Sequence, residues 1–196
     1  MRIESDMFDF TVRANLPWNF DAYARILIPG TVGDTPVAWS TIRKSLGLPP
    51  GDRLMQWEEF ANGDLYNSVH VEGLGTVDPP FGGEITEPML DAVLHAFNAD
   101  RASLKFAAWD SYSLPQLGPK LFTIFDKDFY PTAPPEDYPA PVFVYASDRS
   151  WAAHANSDAG DVVVGGPETG IERLVSDGSV EAYRVTPNDR LDWREK

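Results

Sequence analysis

The sequence predicts an α+β fold, a largely antiparallel sheet with three to four helices packed on it. Three observations carry this. Short apolar runs separated by Gly, Pro and Asn recur along the chain and read as strands. One segment, Thr86 to Phe97, repeats its apolar residues at helical spacing. Helical and strand patterns mingle without the regular alternation that a parallel sheet requires. The chain has 196 residues, the length of one domain, and is long enough to bury roughly 70% of its extended surface. Residues 1–196 are therefore treated as one α+β domain.

In chain order, Tyr23 to Ile28 is the first expected strand, closed by Pro29-Gly30. Thr35-Pro36 resembles a helix start, with Val37, Ala38, Ile42 and Leu46 as one apolar stripe and Gly47 as its stop. A second short helix is expected from Asp52 to Ala61, stopped by Asn62-Gly63. Ser68 to Glu72 alternates weakly, as an edge strand does. The clearest helix follows Thr86-Glu87-Pro88, with Met89, Leu90, Val93, Leu94 and Phe97 inward. Strands are expected at Ser103 to Trp109, Leu121 to Phe125, Val142 to Tyr145, Trp151 to His154 and Asp161 to Val164. Gly165-Gly166-Pro167 is read as a break before a helix over 168–176, with Ile171, Leu174 and Val175 inward. Val180 to Val185 is the last strand. Between them, residues 126–141 form a Pro-rich surface loop, with five prolines in the eleven residues from Pro131 to Pro141.

Charge narrows the function classes. Sixteen Lys and Arg stand against thirty Asp and Glu, a net charge of −14. Residues 51–100 hold ten acids and one base, Arg53. Such a chain repels phosphate backbones and anionic lipid, so neither nucleic acid nor membrane is an expected partner. The acidic stretch is either a solvated face or a surface for a basic partner. The absence of cysteine excludes disulfides, thiol catalysis and Cys-ligated metal. No apolar run approaches the ~18 residues of a membrane span. The acidic start, Met1 to Asp6, lacks a signal core, so a soluble cytoplasmic protein is expected.

Candidate binding residues fall in two places. Trp109, Asp110 and Tyr112 join aromatic rings to one carboxylate at a strand end, a combination that suits a small cationic or aromatic ligand or simply fills a core. Asp148-Arg149-Ser150-Trp151 links two strands. There Arg149 either clamps a carboxylate or sits in a hairpin turn whose Asp148 bonds local backbone while Trp151 fills the core. Val162 to Pro167 before a helix has the outline of an anion cradle. It lacks the phosphate-loop motif, however, and Glu168 places negative charge where the anion would sit. His70 and Glu72 share a strand face, and His154 and Asp158 are further possible ligands, yet no dense metal spacing exists. No nucleophile elbow is present. No catalytic residue, metal site or cofactor is assigned.

Several of these segments also form an ordered pattern. Val142 to Trp151, Val162 to Gly166, Ile171 to Val175 and Val180 to Val185 are similar to a family of uncharacterised actinobacterial proteins. That pattern runs strand, Asp-Arg-x-Trp, strand, Val-Gly-Gly, helix, Leu-Glu-Ala. Phe20 to Ile26, Pro36 to Trp39, Gln56-Trp57 and Phe106 to Tyr112 follow the same order more loosely. This chain departs from the pattern at Tyr145-Ala146-Ser147, where the family carries aromatics and a proline, and at Asn156-Ser157-Asp158, where it carries an acidic pair. The resemblance covers most of the chain and implies no activity.

Two functions are consistent with the sequence. One is a non-enzymatic binding protein for a protein or small-molecule partner. The alternative is an enzyme whose acid/base site gathers dispersed residues such as Asp110, Arg149 and a histidine.

Overall fold

A computed structural model describes residues 11–16, 18–80, 85–101, 104–108, 123–125, 141–156 and 160–191. Eleven strands and three α-helices lie among them. The strands are β1 (Ala22–Leu27), β2 (Gly30–Val32), β3 (Thr35–Val37), β4 (Val69–Val71), β5 (Gly75–Val77), β6 (Leu104–Ala108), β7 (Thr123–Phe125), β8 (Pro141–Ala146), β9 (Ala152–Asn156), β10 (Asp161–Gly166) and β11 (Ala182–Val185). The helices are α1 (Trp39–Ser45), α2 (Glu87–Phe97) and α3 (Glu168–Ser176). Seven strands form one sheet in the order β11-β1-β10-β9-β8-β6-β7, and every pair is antiparallel. The α+β fold with a largely antiparallel sheet is thus the observed one. β2-β3 and β4-β5 are separate hairpins. Of the Pro-rich loop only Pro141, the first residue of β8, lies within the described residues.

Side-chain alternation separates the two faces of the sheet. Ala22, Ala24 and Ile26 of β1 and Val162 and Val164 of β10 join α2 and α3 in the largest core. On the other face, Tyr23 and Val163 pack with Val12, Leu16 and Leu191. Leu27 packs there with Trp39, Ile42, Met55, Trp57 and Phe60, the core of the 30–80 segment. Trp39 donates its indole N–H to the Ile28 carbonyl (2.7 Å), which ties α1 to the end of β1.

Four expectations need correction. Thr35-Pro36 does not cap a helix but lies in β3, and α1 begins after Ala38. Proline is tolerated because Pro36 stands opposite Thr31, whose N–H and carbonyl both turn away to Asp78 (3.0 and 2.7 Å). The expected stop at Gly47 holds, with φ at +67°.

Next, the helix expected over 52–61 shrinks to one tight turn at Trp57–Glu59. Asp52 accepts the Leu54 N–H (2.7 Å) and bends the chain early, and Arg25 takes the Met55 carbonyl (2.6 Å) that a helix would use.

Gly165 and Gly166 do not end their strand but continue in β10 opposite Tyr23 and Ala22. A Cβ at Gly165 would stand 2.3 Å from Phe20, and one at Gly166 would stand 2.5 Å from Phe97. Both positions are glycine because aromatic rings from distant segments press on the strand.

Finally, Val175 is not inward but about one-third exposed (36%), because Gly170, Ile171 and Leu174 already fill the inward face of α3. A Cβ at Gly170 would lie 2.2 Å from the Phe97 ring, which stacks on Trp151 with centroids 5.3 Å apart. Gly170→Ala is therefore expected to destabilise by about 1–3 kcal/mol through overpacking, outweighing the ~1 kcal/mol helix-propensity gain. Urea denaturation checks this, and adding Phe97→Leu should recover part of the loss.

Candidate functional site

The structure brings only part of the sequence-predicted set into view. Trp109, Asp110 and Tyr112 lie outside the described residues. The Asp148-to-Trp151 segment is a hairpin turn between β8 and β9. Ser150 N–H donates to Asp148 Oδ1 (2.9 Å), and hydrogen bonds from Ser150 hold the Asp148 carboxyl below its ordinary range. Arg149 occupies the left-handed region (φ 62°) and donates its N–H to the Ala146 carbonyl (2.8 Å). Its guanidinium lies over the Trp18 ring, 5.1 Å from the centroid, in a cation–π contact. Trp18 in turn packs on Phe143 and Tyr145. Trp151 is buried on the opposite face against Phe97. The turn thus sends its arginine and its tryptophan to different sides of the sheet.

The histidines have separate environments. His70 is exposed on β4, and Glu72 falls in the turn beyond that strand. His95 is exposed at the flank of α2, with Nδ1 2.9 Å from Asp177. Burial drives the His154 imidazole down to about 4, and its Nδ1 has no hydrogen-bond partner. Among the described residues no group of three or more His, Asp or Glu side chains is placed to hold a metal. The anion-cradle position at the start of α3 is taken by Glu168, paired with Arg184 (Nη2 to Oε2, 2.7 Å).

A polar cluster not singled out in the sequence sits beneath the 30–80 segment. Arg25, on the face of β1 turned away from α2 and α3, is fully buried. Its Nε donates to Asp161, the first residue of β10. Nη1 donates to the carbonyls of Met55 (2.6 Å) and Arg53 (3.3 Å), and Nη2 donates to Gln56 Oε1 (3.2 Å). Every nitrogen of the guanidinium is engaged, so it is a fastener rather than a ligand clamp. Burial raises the Asp161 carboxyl above its ordinary range despite Arg25 beside it, and burial raises Glu58 likewise. Asp161 Oδ1, Glu58 Oε2 and Gln56 Nε2 remain without hydrogen-bond partners. A sequence signal did exist. Arg25 is the lone charge in an apolar strand, and Asp161 heads a run of three valines.

A cleft of about 560 Å³ opens beside the end of β1. Pro29, Pro36, Pro79 and Pro88 wall it, and Leu27, Met89 and Val180 add apolar surface. Four rigid rings that lack N–H groups make a preformed, donor-poor wall. The charged residues lining it are Asp34 and Glu181. Glu181 is held in place: its Oε2 accepts from Ser40 N–H (3.0 Å) and Ser40 Oγ (3.2 Å), and its Oε1 accepts from Tyr183 OH (3.0 Å). Burial, reinforced by Glu181, pushes the Tyr183 phenol up to about 12, so it stays a donor at neutral pH. The cleft is assembled from the ends of β1, β2 and β3, the start of α2 and the approach to β11, a convergence that no local sequence pattern reveals. Comparison of the chain with protein-family models, with curated proteins and with solved structures gave no match.

Proposed function

We propose that this chain is a non-enzymatic binding protein that takes a small molecule in the cleft between Pro29, Pro88 and Glu181. The observation that carries the reading is the cleft itself. Its ~560 Å³ falls within the size range of drug-sized ligand sites, and its mostly apolar lining with a few fixed polar groups is what such sites use. The titratable groups in view support binding over catalysis. An imidazole at about 4 makes His154 a weak base at neutral pH. Asp177 accepts from both the His95 ring (2.9 Å) and the Ser179 N–H (3.1 Å). A carboxylate between histidine and serine is not the order that activates a serine, which needs the imidazole against its hydroxyl. The net charge of −14 argues against phosphate backbones and anionic lipid as partners.

A thermal-shift screen of diverse small molecules on the full chain, run in parallel on Ser179→Trp, tests this. Ser179 is an exposed residue at the cleft rim, so the new ring narrows the opening with little demand on the fold. Compounds that raise the melting point of the native chain but not of Ser179→Trp are expected. A screen without hits, or hits equally strong on both chains, would overturn the proposal.

A further inference from the structure

Resting on the cleft as the ligand site, we infer that its occupant is a small amphipathic amine, a protonated nitrogen bearing N–H groups on an apolar body. Among the described residues the lining contains two carboxylates and no Lys, Arg or His. Asp34 makes no ion pair among the described residues and stands at the exposed mouth. Glu181 accepts three hydrogen bonds from Ser40 and Tyr183, which fix its orientation and leave one of its roughly four lone-pair sites open. The prolines offer no N–H donors, and the polar side chains beside the two carboxylates are the hydroxyls of Thr31, Thr86 and Ser179, so a charged donor on the ligand has its strongest partners in the two acids.

One feature of the cleft opposes a cation. The start of α2 contributes Thr86, Pro88 and Met89, and a helix N-terminus carries roughly half a positive charge. Two carboxylates outweigh it. Glu87 in the same first turn adds a third acid, although Arg101 already holds it (Nη1 to Oε1, 3.3 Å). Arg43, whose charge acts on Tyr183, is committed to Glu59 (2.9 Å) and to the Pro49 carbonyl (2.8 Å). The overall charge of −14 raises the local concentration of any cation. Among the described residues no aromatic ring lines the cleft, so a quaternary ammonium finds no π face on them. The selection is for nitrogen that both carries charge and donates hydrogen bonds.

Isothermal titration of the full chain at neutral pH and low salt, with four probes on one apolar body, tests this. The probes are phenethylamine, phenethyltrimethylammonium, phenethyl alcohol and phenylacetate. Phenethylamine should bind about tenfold or more tighter than the alcohol, as charge-assisted hydrogen bonds allow. The quaternary probe should be weaker than the amine, and phenylacetate should show no binding. Added salt should erode the amine's advantage. In Asp34→Asn/Glu181→Gln the amine should fall to the level of the alcohol, with an unchanged circular dichroism spectrum reporting an intact fold. An alcohol or a quaternary ammonium that matches the amine, or phenylacetate that binds best, would overturn the amine and leave the cleft as a binding site. No heat from any probe overturns the amine too, and the broader screen then decides the cleft. Amine binding undiminished in Ser179→Trp would overturn both.

Discussion

Arg25→Met is expected to destabilise the protein by about 3–5 kcal/mol, the usual result of removing one partner of a buried ion pair. The guanidinium is fully buried, and its loss leaves Asp161 alone in the interior. It also removes the donors from the Met55 carbonyl and from Gln56 Oε1. Urea denaturation at neutral pH measures the loss. The deficit has a defined pH dependence. Burial already raises the Asp161 carboxyl, and without Arg25 it rises further. A folded value above the unfolded one means that protonation favours the native state. The variant should therefore regain stability as pH falls through that raised value toward the ordinary carboxylate range, and lose it as pH rises back through it. Asp161→Asn should be comparably damaging, because it strands the arginine. Arg25→Met/Asp161→Leu should be far milder than the sum of the single changes, since apolar pairs of similar volume often replace buried ion pairs at little cost. Single variants within about 1 kcal/mol of the parent would show that the pair is not the fastener described.

Trp57→Ala is the second large effect expected, about 3–5 kcal/mol. Trp57 is fully buried, meets Trp39 and Phe60 edge-on at 5.7 and 5.5 Å, and donates its N–H to the Asn67 carbonyl (3.0 Å). Gly30 is tailored to it, since a Cβ there would stand 2.9 Å from the indole. Alanine removes two ring contacts and one hydrogen bond, and nothing rigid nearby can collapse into the space. At this chain length the loss corresponds to a melting point lower by roughly 6–20 °C. Calorimetry checks it, and Trp57→Phe should restore part of the difference. A shift of one or two degrees would contradict the packing described.

Which parts of this architecture were legible follows from how local their causes are. α2 was legible because its cap, its acidic first turn and its apolar spacing all lie within a dozen residues. The hairpin at Asp148 was legible for the same reason, since Asp148 and Ser150 bond to each other. β3 was misread because the permission for Pro36 comes from Asp78, far along the chain. Gly165 and Gly166 carried the local signature of a break, while their actual reason is Phe20 and Phe97 lying across them. For the site, Arg149 and Trp151 were named from sequence and prove to face opposite ways. The cleft was not visible at all, because its walls are prolines and strand ends gathered from five segments. Asp34 and Glu181 resemble ordinary surface acids until the fold places them at one opening.

The guanidinium of Arg25 spans two bodies of structure, its Nε on the sheet at Asp161 and its Nη atoms on the 53–56 stretch. Should residues 30–80 peel away by themselves, the Met55 and Arg53 carbonyls and Gln56 Oε1 would lose their shared donor together. Because one side chain holds both bodies, these contacts break as a set, which couples the two bodies into one cooperative transition and slows amide exchange in the hairpins toward the pace of global unfolding.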